Sequence, residues 1–119
     1  MDNPNTFSDN RGEIKDLMVG EDFSITYVSF TKDAIRGNHY HNKTTQTDIV
    51  LSGKLLCRSK VGKIVNETIL KKGDVITHGI GEAHAYKALE SSEIVSTCLG
   101  VRIGTDYEKD VFRLETPLI

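Results

Sequence analysis

Four histidines occur in the 119 residues, and two of them, His39 and His41, stand one residue apart. Burying an imidazole pair at this spacing desolvates two polar rings for little apolar contact, so a polar species between them is the simplest reading. In a strand, residues i and i+2 project to one face, so the two rings can converge on a single ion while Asn38 and Tyr40 point the other way. Gln46 follows after four residues, a gap long enough for a turn that returns the chain beside the first strand. Further on, His84 opens another strand-like run behind the glycine-marked loop Gly79-Ile80-Gly81.

The elements that must position these groups read as strands. No helical period persists for three turns, whereas short β-rich runs separated by Gly, Lys, Asn or Asp recur at regular intervals. The spacing predicts strands over Ile14 to Met18, Phe23 to Phe30, Ile35 to His41, Thr47 to Leu51, Lys54 to Lys60, Ile64 to Leu70, Asp74 to Thr77, Ala83 to Leu89 and Ile94 to Val101. Turn signals at Ser52-Gly53, Val61-Gly62-Lys63 and Lys72-Gly73-Asp74 agree with that division. Many short strands at this spacing indicate a small all-β barrel or sandwich. Residues 1–12 read as a flexible or partner-dependent arm preceding one domain over 13–119, and the charged C-terminal stretch is unsuited to a central strand.

Composition narrows the function classes. With 38% hydrophobic and 27% charged residues and a net charge of −2, the chain has the make-up of a soluble domain without a field that attracts nucleic acid or anionic membrane. The polar N-terminus carries no apolar targeting core, and no run approaches the ~20 apolar residues of a membrane span, so a cytoplasmic protein is expected. Cys57 and Cys98 sit far apart within strand-like runs, without a C-x-x-C spacing, and read as buried free thiols.

Two stretches together resemble the motifs of the cupins, G-x5-H-x-H-x3,4-E-x6-G and G-x5-P-x-G-x2-H-x3-N. His39-Tyr40-His41, four residues, Gln46, six residues and Gly53 follow the first; Gly73, five residues, Gly79-Ile80-Gly81 and His84 follow the second. Gln46 stands where the family has glutamate, Gly79 where it has proline, Ala88 where asparagine is usual, and Gly37 lies only one residue before His39. The resemblance implies a double-stranded β-helix, or jelly-roll, barrel with His39, His41, Gln46 and His84 around a divalent transition metal: iron, manganese, nickel, zinc or copper. An amide in place of a carboxylate leaves the ion's charge uncompensated by its nearest ligands, which weakens metal affinity and strengthens the pull on an anionic ligand or bound water.

The stretches "SDNRG" and "IRGNHYH" are similar to ones in cupins of sugar-nucleotide and capsular polysaccharide biosynthesis. The resemblance implies a metal-binding cupin enzyme of the isomerase, epimerase, lyase or oxygenase type, acting on a small polar, carbohydrate-derived molecule. The alternative is a non-catalytic sugar- or metabolite-binding module. Candidates for moving a proton are His39, which aligns with a histidine base in related R-G-x-H stretches, together with His78 and Tyr86; His78 is expected to line a loop. Asp48, Tyr27, Tyr86 and Cys57 are candidates to line the barrel. Arg36 would turn away from the site with Asn38 and Tyr40 in a regular strand, and Gly37 is where that parity can break. Barrels of this size commonly pair, which suggests a homodimer joined at an exposed strand edge.

Overall fold

The computed structural model describes residues 6–100 and 105–119. In chain order the elements are β1 (Thr6–Asp9), β2 (Gly12–Val19), β3 (Phe23–Phe30), β4 (Ile35–Tyr40), β5 (Thr45–Ser52), β6 (Lys54–Val61), β7 (Ile64–Lys71), β8 (Val75–His78), β9 (Ala83–Ala88), β10 (Ser92–Leu99), α1 (Thr105–Lys109) and β11 (Phe112–Arg113). They form two antiparallel sheets, ordered β1-β2-β3-β10-β5-β8 and β11-β4-β9-β6-β7, which face one another as the two walls of a jelly-roll barrel. No helix among the described residues is long and apolar enough to cross a membrane.

Strict alternation decides which side chains enter the barrel. In β3, Ser24, Thr26, Val28 and Phe30 are buried while Phe23, Ile25, Tyr27 and Ser29 are half-exposed. The inward set changes character along the strand, polar at one end and apolar at the other. β5 repeats this with Gln46 and Asp48 leading to Val50, and β10 with Cys98 and Ser96 leading to Ile94. The apolar ends gather into one core containing Val28, Phe30, Val50, Leu55, Leu70, Tyr86, Ala88 and Ile94. The polar ends form the other half of the interior, and burial of polar groups there requires partners.

Three short elements escape the strand reading. Residues 1–12, expected as an arm, contribute β1 from Thr6, and residues 1–5 lie outside the described residues. A two-residue turn makes the hairpin: the Asp9 carboxylate accepts the Arg11 backbone N–H at 2.9 Å and pairs with its guanidinium at 2.7 Å. Near the C-terminus, α1 and the two-residue β11 are too short for a periodic signal; β11 is an edge strand paired with Tyr40 and His39, as its charge suits. The strand expected over Ile94 to Val101 is β10, Ser92–Leu99, and Val101 lies outside the described residues.

β4 contains the departure that matters most for the site. Its ladder with β9 pairs Arg36 with Tyr86 and Gly37 with Ala85, then skips Asn38 and pairs His39 with His84. This β-bulge places Gly37 at φ +92° and Asn38 at φ +58°. A Cβ at Gly37 would lie 2.8 Å from the His84 carbonyl oxygen, so only glycine allows the two strands to approach here. The Asn38 side chain, directed away from the barrel, accepts the Leu118 N–H at 2.7 Å and ties the C-terminus to the bulge.

Candidate metal centre

The bulge restores one face to Arg36, His39 and His41. Arg36 is buried beside the histidines instead of turning outward with Tyr40, whose ring stacks on Phe112 at 5.2 Å. His84, on the paired strand β9, completes a group of three imidazoles with one ring nitrogen each within 4.8 Å of the others. Ring centroids are 4.8 Å apart for His39–His41 and His39–His84, and 5.6 Å for His41–His84.

The hydrogen bonds of these rings are incomplete in the way a metal site requires. His41 Nδ1 lies 3.0 Å from the Asp110 carbonyl oxygen, which only accepts, so Nδ1 carries the hydrogen and the lone pair is left on Nε2. That Nε2 is buried without a partner, as are His39 Nδ1 and both nitrogens of His84. Buried nitrogens lacking any donor or acceptor are costly, and a shared cation would satisfy one nitrogen on each ring. Burial, then the neighbouring His41 and the Arg113 and His78 cations when charged, holds His39 down to about 4. His84 is pushed well below the usual imidazole range by burial first and by the surrounding histidines next. Both rings are therefore neutral at pH 7, the form that ligates metal. The donor set fits a divalent transition ion.

Asp110 anchors the turn that carries His41. Its carboxylate accepts the Asn42 N–H at 2.9 Å, the Lys43 N–H at 3.0 Å and the Thr44 hydroxyl at 2.7 Å, while its own carbonyl holds the His41 ring. Burial opposes its ionisation, yet the Thr44, Asn42 and Lys43 donors hold its pKa below the ordinary carboxylate value. Nothing in the sequence points to Asp110, which lies 69 residues from His41.

Gln46 is buried on β5 and lines the same cavity as His39 and His84. Its amide nitrogen donates to both oxygens of Asp48, at 3.0 and 2.9 Å, which turns the amide oxygen away from that carboxylate. Asp48 is fully buried and also accepts the hydroxyls of Tyr86 and Ser96. The glutamine therefore has a physical reason: a glutamate here would set two carboxylates against one another, whereas the amide supplies donors to a buried charge.

His78 does not line a loop. It ends β8 fully buried, its ring stacked on His84 at 4.2 Å and 13°. Nδ1 meets the Glu82 carboxylate at 2.8 Å and Nε2 meets the Tyr86 hydroxyl at 2.6 Å. A chain of hydrogen bonds thus runs from the partly exposed Glu82 through His78 and Tyr86 to Asp48. Burial, followed by the Asp48 charge, raises Tyr86 well above the usual phenol range. Of the other residues expected to line the barrel, Asp48 and Tyr86 face inward. Tyr27 instead lies half-exposed on the outer face of β3, bonded to Glu93, because its parity is opposite to Thr26 and Val28. Cys57 packs in the apolar core, and Cys98 lines the cavity; both thiols are free, and burial first pushes each up to about 12.

His39 and His84 open on a cavity of about 520 Å³ whose walls include Arg36, Asp16, Thr26, Gln46 and Tyr86. This volume suits a small molecule.

Comparison with known proteins places the fold. No family model matches the sequence, and no curated protein matches it. Among solved structures, the capsular polysaccharide assembling protein CapF from Staphylococcus aureus superposes with a TM-score of 0.80 at 18% identity, over 98% of this chain and 34% of that one. A single-substitution variant of the oxalate decarboxylase of Bacillus subtilis gives a TM-score of 0.80 at 18% identity over 93% of this chain and 30% of that one. KdgF from Halomonas sp. gives 0.73 at 19% identity over 82% and 89%. The chain thus spans about a third of the length of CapF and of oxalate decarboxylase and most of the length of KdgF. The fold is the cupin barrel, a double-stranded β-helix. Within it, the chain presents a three-histidine cluster able to hold a metal ion.

Proposed function

We propose that this protein is a metal-dependent cupin enzyme of the isomerase, epimerase, lyase or oxygenase type, acting on a small oxygen-rich, carbohydrate-derived molecule. The observation that carries the reading is the cluster of three imidazoles with buried, unpartnered nitrogens, two of whose rings, His39 and His84, line a small-molecule cavity. His39, His41 and His84 are the ligands, with the Gln46 amide oxygen as a fourth. Bound there, a divalent ion such as iron, manganese, nickel, zinc or copper supplies a positive charge that polarises a substrate oxygen.

The chain's own contribution is to position the substrate and move a proton. Tyr86 lines the cavity and is the proton-carrying candidate, with its hydroxyl held between Asp48 and His78. His78 and Glu82 act through Tyr86 as positioning residues. His39 serves as a ligand and not as a base. The likeness to a capsular polysaccharide assembling protein supports a carbohydrate-linked substrate, and the likeness to an oxalate decarboxylase supports enzymatic use of the barrel. The reading includes a cytoplasmic homodimer.

The test is deuterium incorporation, followed by NMR, when metal-loaded protein is incubated in D2O with a panel of keto- and aldosugars and small hydroxy acids. The proposal expects exchange at a carbon-bound hydrogen of at least one compound, reduced ~100-fold in Tyr86→Phe. Binding without exchange across the panel would make the protein a sugar- or metabolite-binding module.

A further inference from the structure

Arg36 is buried, with only 8% of its surface exposed, and among the described residues no carboxylate pairs with it. Its Nη2 donates to the Ser29 carbonyl oxygen at 3.2 Å, its Cζ lies 5.4 Å from the Phe30 ring centroid, and its Nε is buried with no partner. A guanidinium keeps its charge in proteins, so an uncompensated one inside a barrel is costly unless an anion completes it. Burial, with the nearby Arg11, opposes that charge, and Asp9 offsets it only in part. Arg11 itself is occupied by Asp9 at 2.7 Å. Arg36 lines the same cavity as His39 and His84.

We propose that Arg36 is the carboxylate-binding residue of this cavity, and that the natural ligand is a small hydroxy acid whose carboxylate sits on Arg36 while neighbouring oxygens reach the three-histidine cluster. The inference deepens the preceding reading and rests on it for the placement of the second half of the ligand. Three observations select the class. Arg36 pairs with Tyr86 and His39 with His84, so the guanidinium and the cluster are anchored two residues apart on β9, roughly 7 Å along the strand, which suits a small bridging molecule. A planar fork with one positive charge matches a carboxylate. Asp16, also on the cavity wall and accepting from Thr26 at 3.1 Å, disfavours a second anionic group and provides an acceptor for hydroxyls.

The test uses D-gluconate and its neutral counterpart D-glucitol, which differ at the carboxylate, measured by isothermal titration at constant ionic strength on metal-free and on metal-loaded protein. Metal content is measured separately by mass spectrometry. Wild type should bind gluconate at least ten times more tightly than glucitol in both forms. Arg36→Met should abolish that preference with metal content unchanged, and Arg36→Lys should restore part of it. Equal affinity for the two compounds in wild type overturns the proposal, as does undiminished gluconate preference in folded Arg36→Met. The wild-type comparison decides the matter even if Arg36→Met fails to fold. A gluconate preference in protein that takes up no metal contradicts the metal reading alone, whereas full metal content without the preference contradicts the Arg36 assignment alone.

Discussion

His39 and His84 are Cα partners across the β4–β9 ladder, and their rings stand 4.8 Å apart at 87°. The convergence of these two rings is therefore a property of strand register. A slip of one residue in either strand would send one ring to the outer face. Gly37 and Asn38 set that register by absorbing one extra residue before His39.

The bulge makes Gly37 the backbone position on which the site depends. Gly37→Ala would place a methyl group at φ +92° against the His84 carbonyl, and strain of this kind costs about 1–3 kcal/mol. Thermal melts should show that loss, together with metal content reduced at least tenfold, because relief of the clash moves His39 away from His84. A Gly37→Ala protein with wild-type melting temperature and metal content would show that the bulge is incidental.

Gln46 connects the site to the buried charge of Asp48. Gln46→Glu removes two hydrogen bonds to that carboxylate and faces it with another, so metal-free protein should lose about 2–3 kcal/mol in urea denaturation. Added divalent ion should reverse the order, with the variant gaining more stability from metal than wild type does. Equal stability of the two metal-free proteins would separate Gln46 from Asp48.

Acid should destabilise the metal-free protein. The folded chain holds His39 down to about 4, against 6.5 when unfolded, and His84 is pushed below 6.5 as well. Between these values the unfolded chain binds protons that the folded chain refuses, so stability is complete above pH 6.5 and falls as the pH drops toward 4. Melting temperatures recorded from about pH 7.5 to about 4.5 should decline through that window. A flat profile would contradict the burial of neutral imidazoles.

Much of this architecture is legible in the sequence because alternation in β3, β5 and β10 is strict, and because glycine-marked turns separate the strands. Period-2 geometry turns the spacing of His39 and His41 into one direction, whereas the joining of Gln46 and His84 to them is what the resemblance to the cupin motifs implies. What resists reading is contact between distant segments. Asp110 reaches His41 across 69 residues, and β11 and α1 are too short to show a period. Arg36 illustrates the intermediate case. A regular strand turns it outward, Gly37 marks where that rule can fail, and only the realised bulge puts the guanidinium in the cavity. His78 misleads for another reason: it stands just past the strand expected over Asp74 to Thr77 and precedes two glycines, yet it ends β8 and stacks, buried, on His84.

His39, His41, His84 and Gln46 are proposed to hold one divalent ion. Metal content by mass spectrometry, on protein purified without an affinity tag, decides this when wild type is compared with His41→Ala and Gln46→Glu. Near-stoichiometric transition metal is expected in wild type, with loss of that metal in His41→Ala and tighter retention against a chelator in Gln46→Glu. Wild-type protein that carries no metal and takes up none from added iron, manganese, nickel, zinc or copper would contradict it.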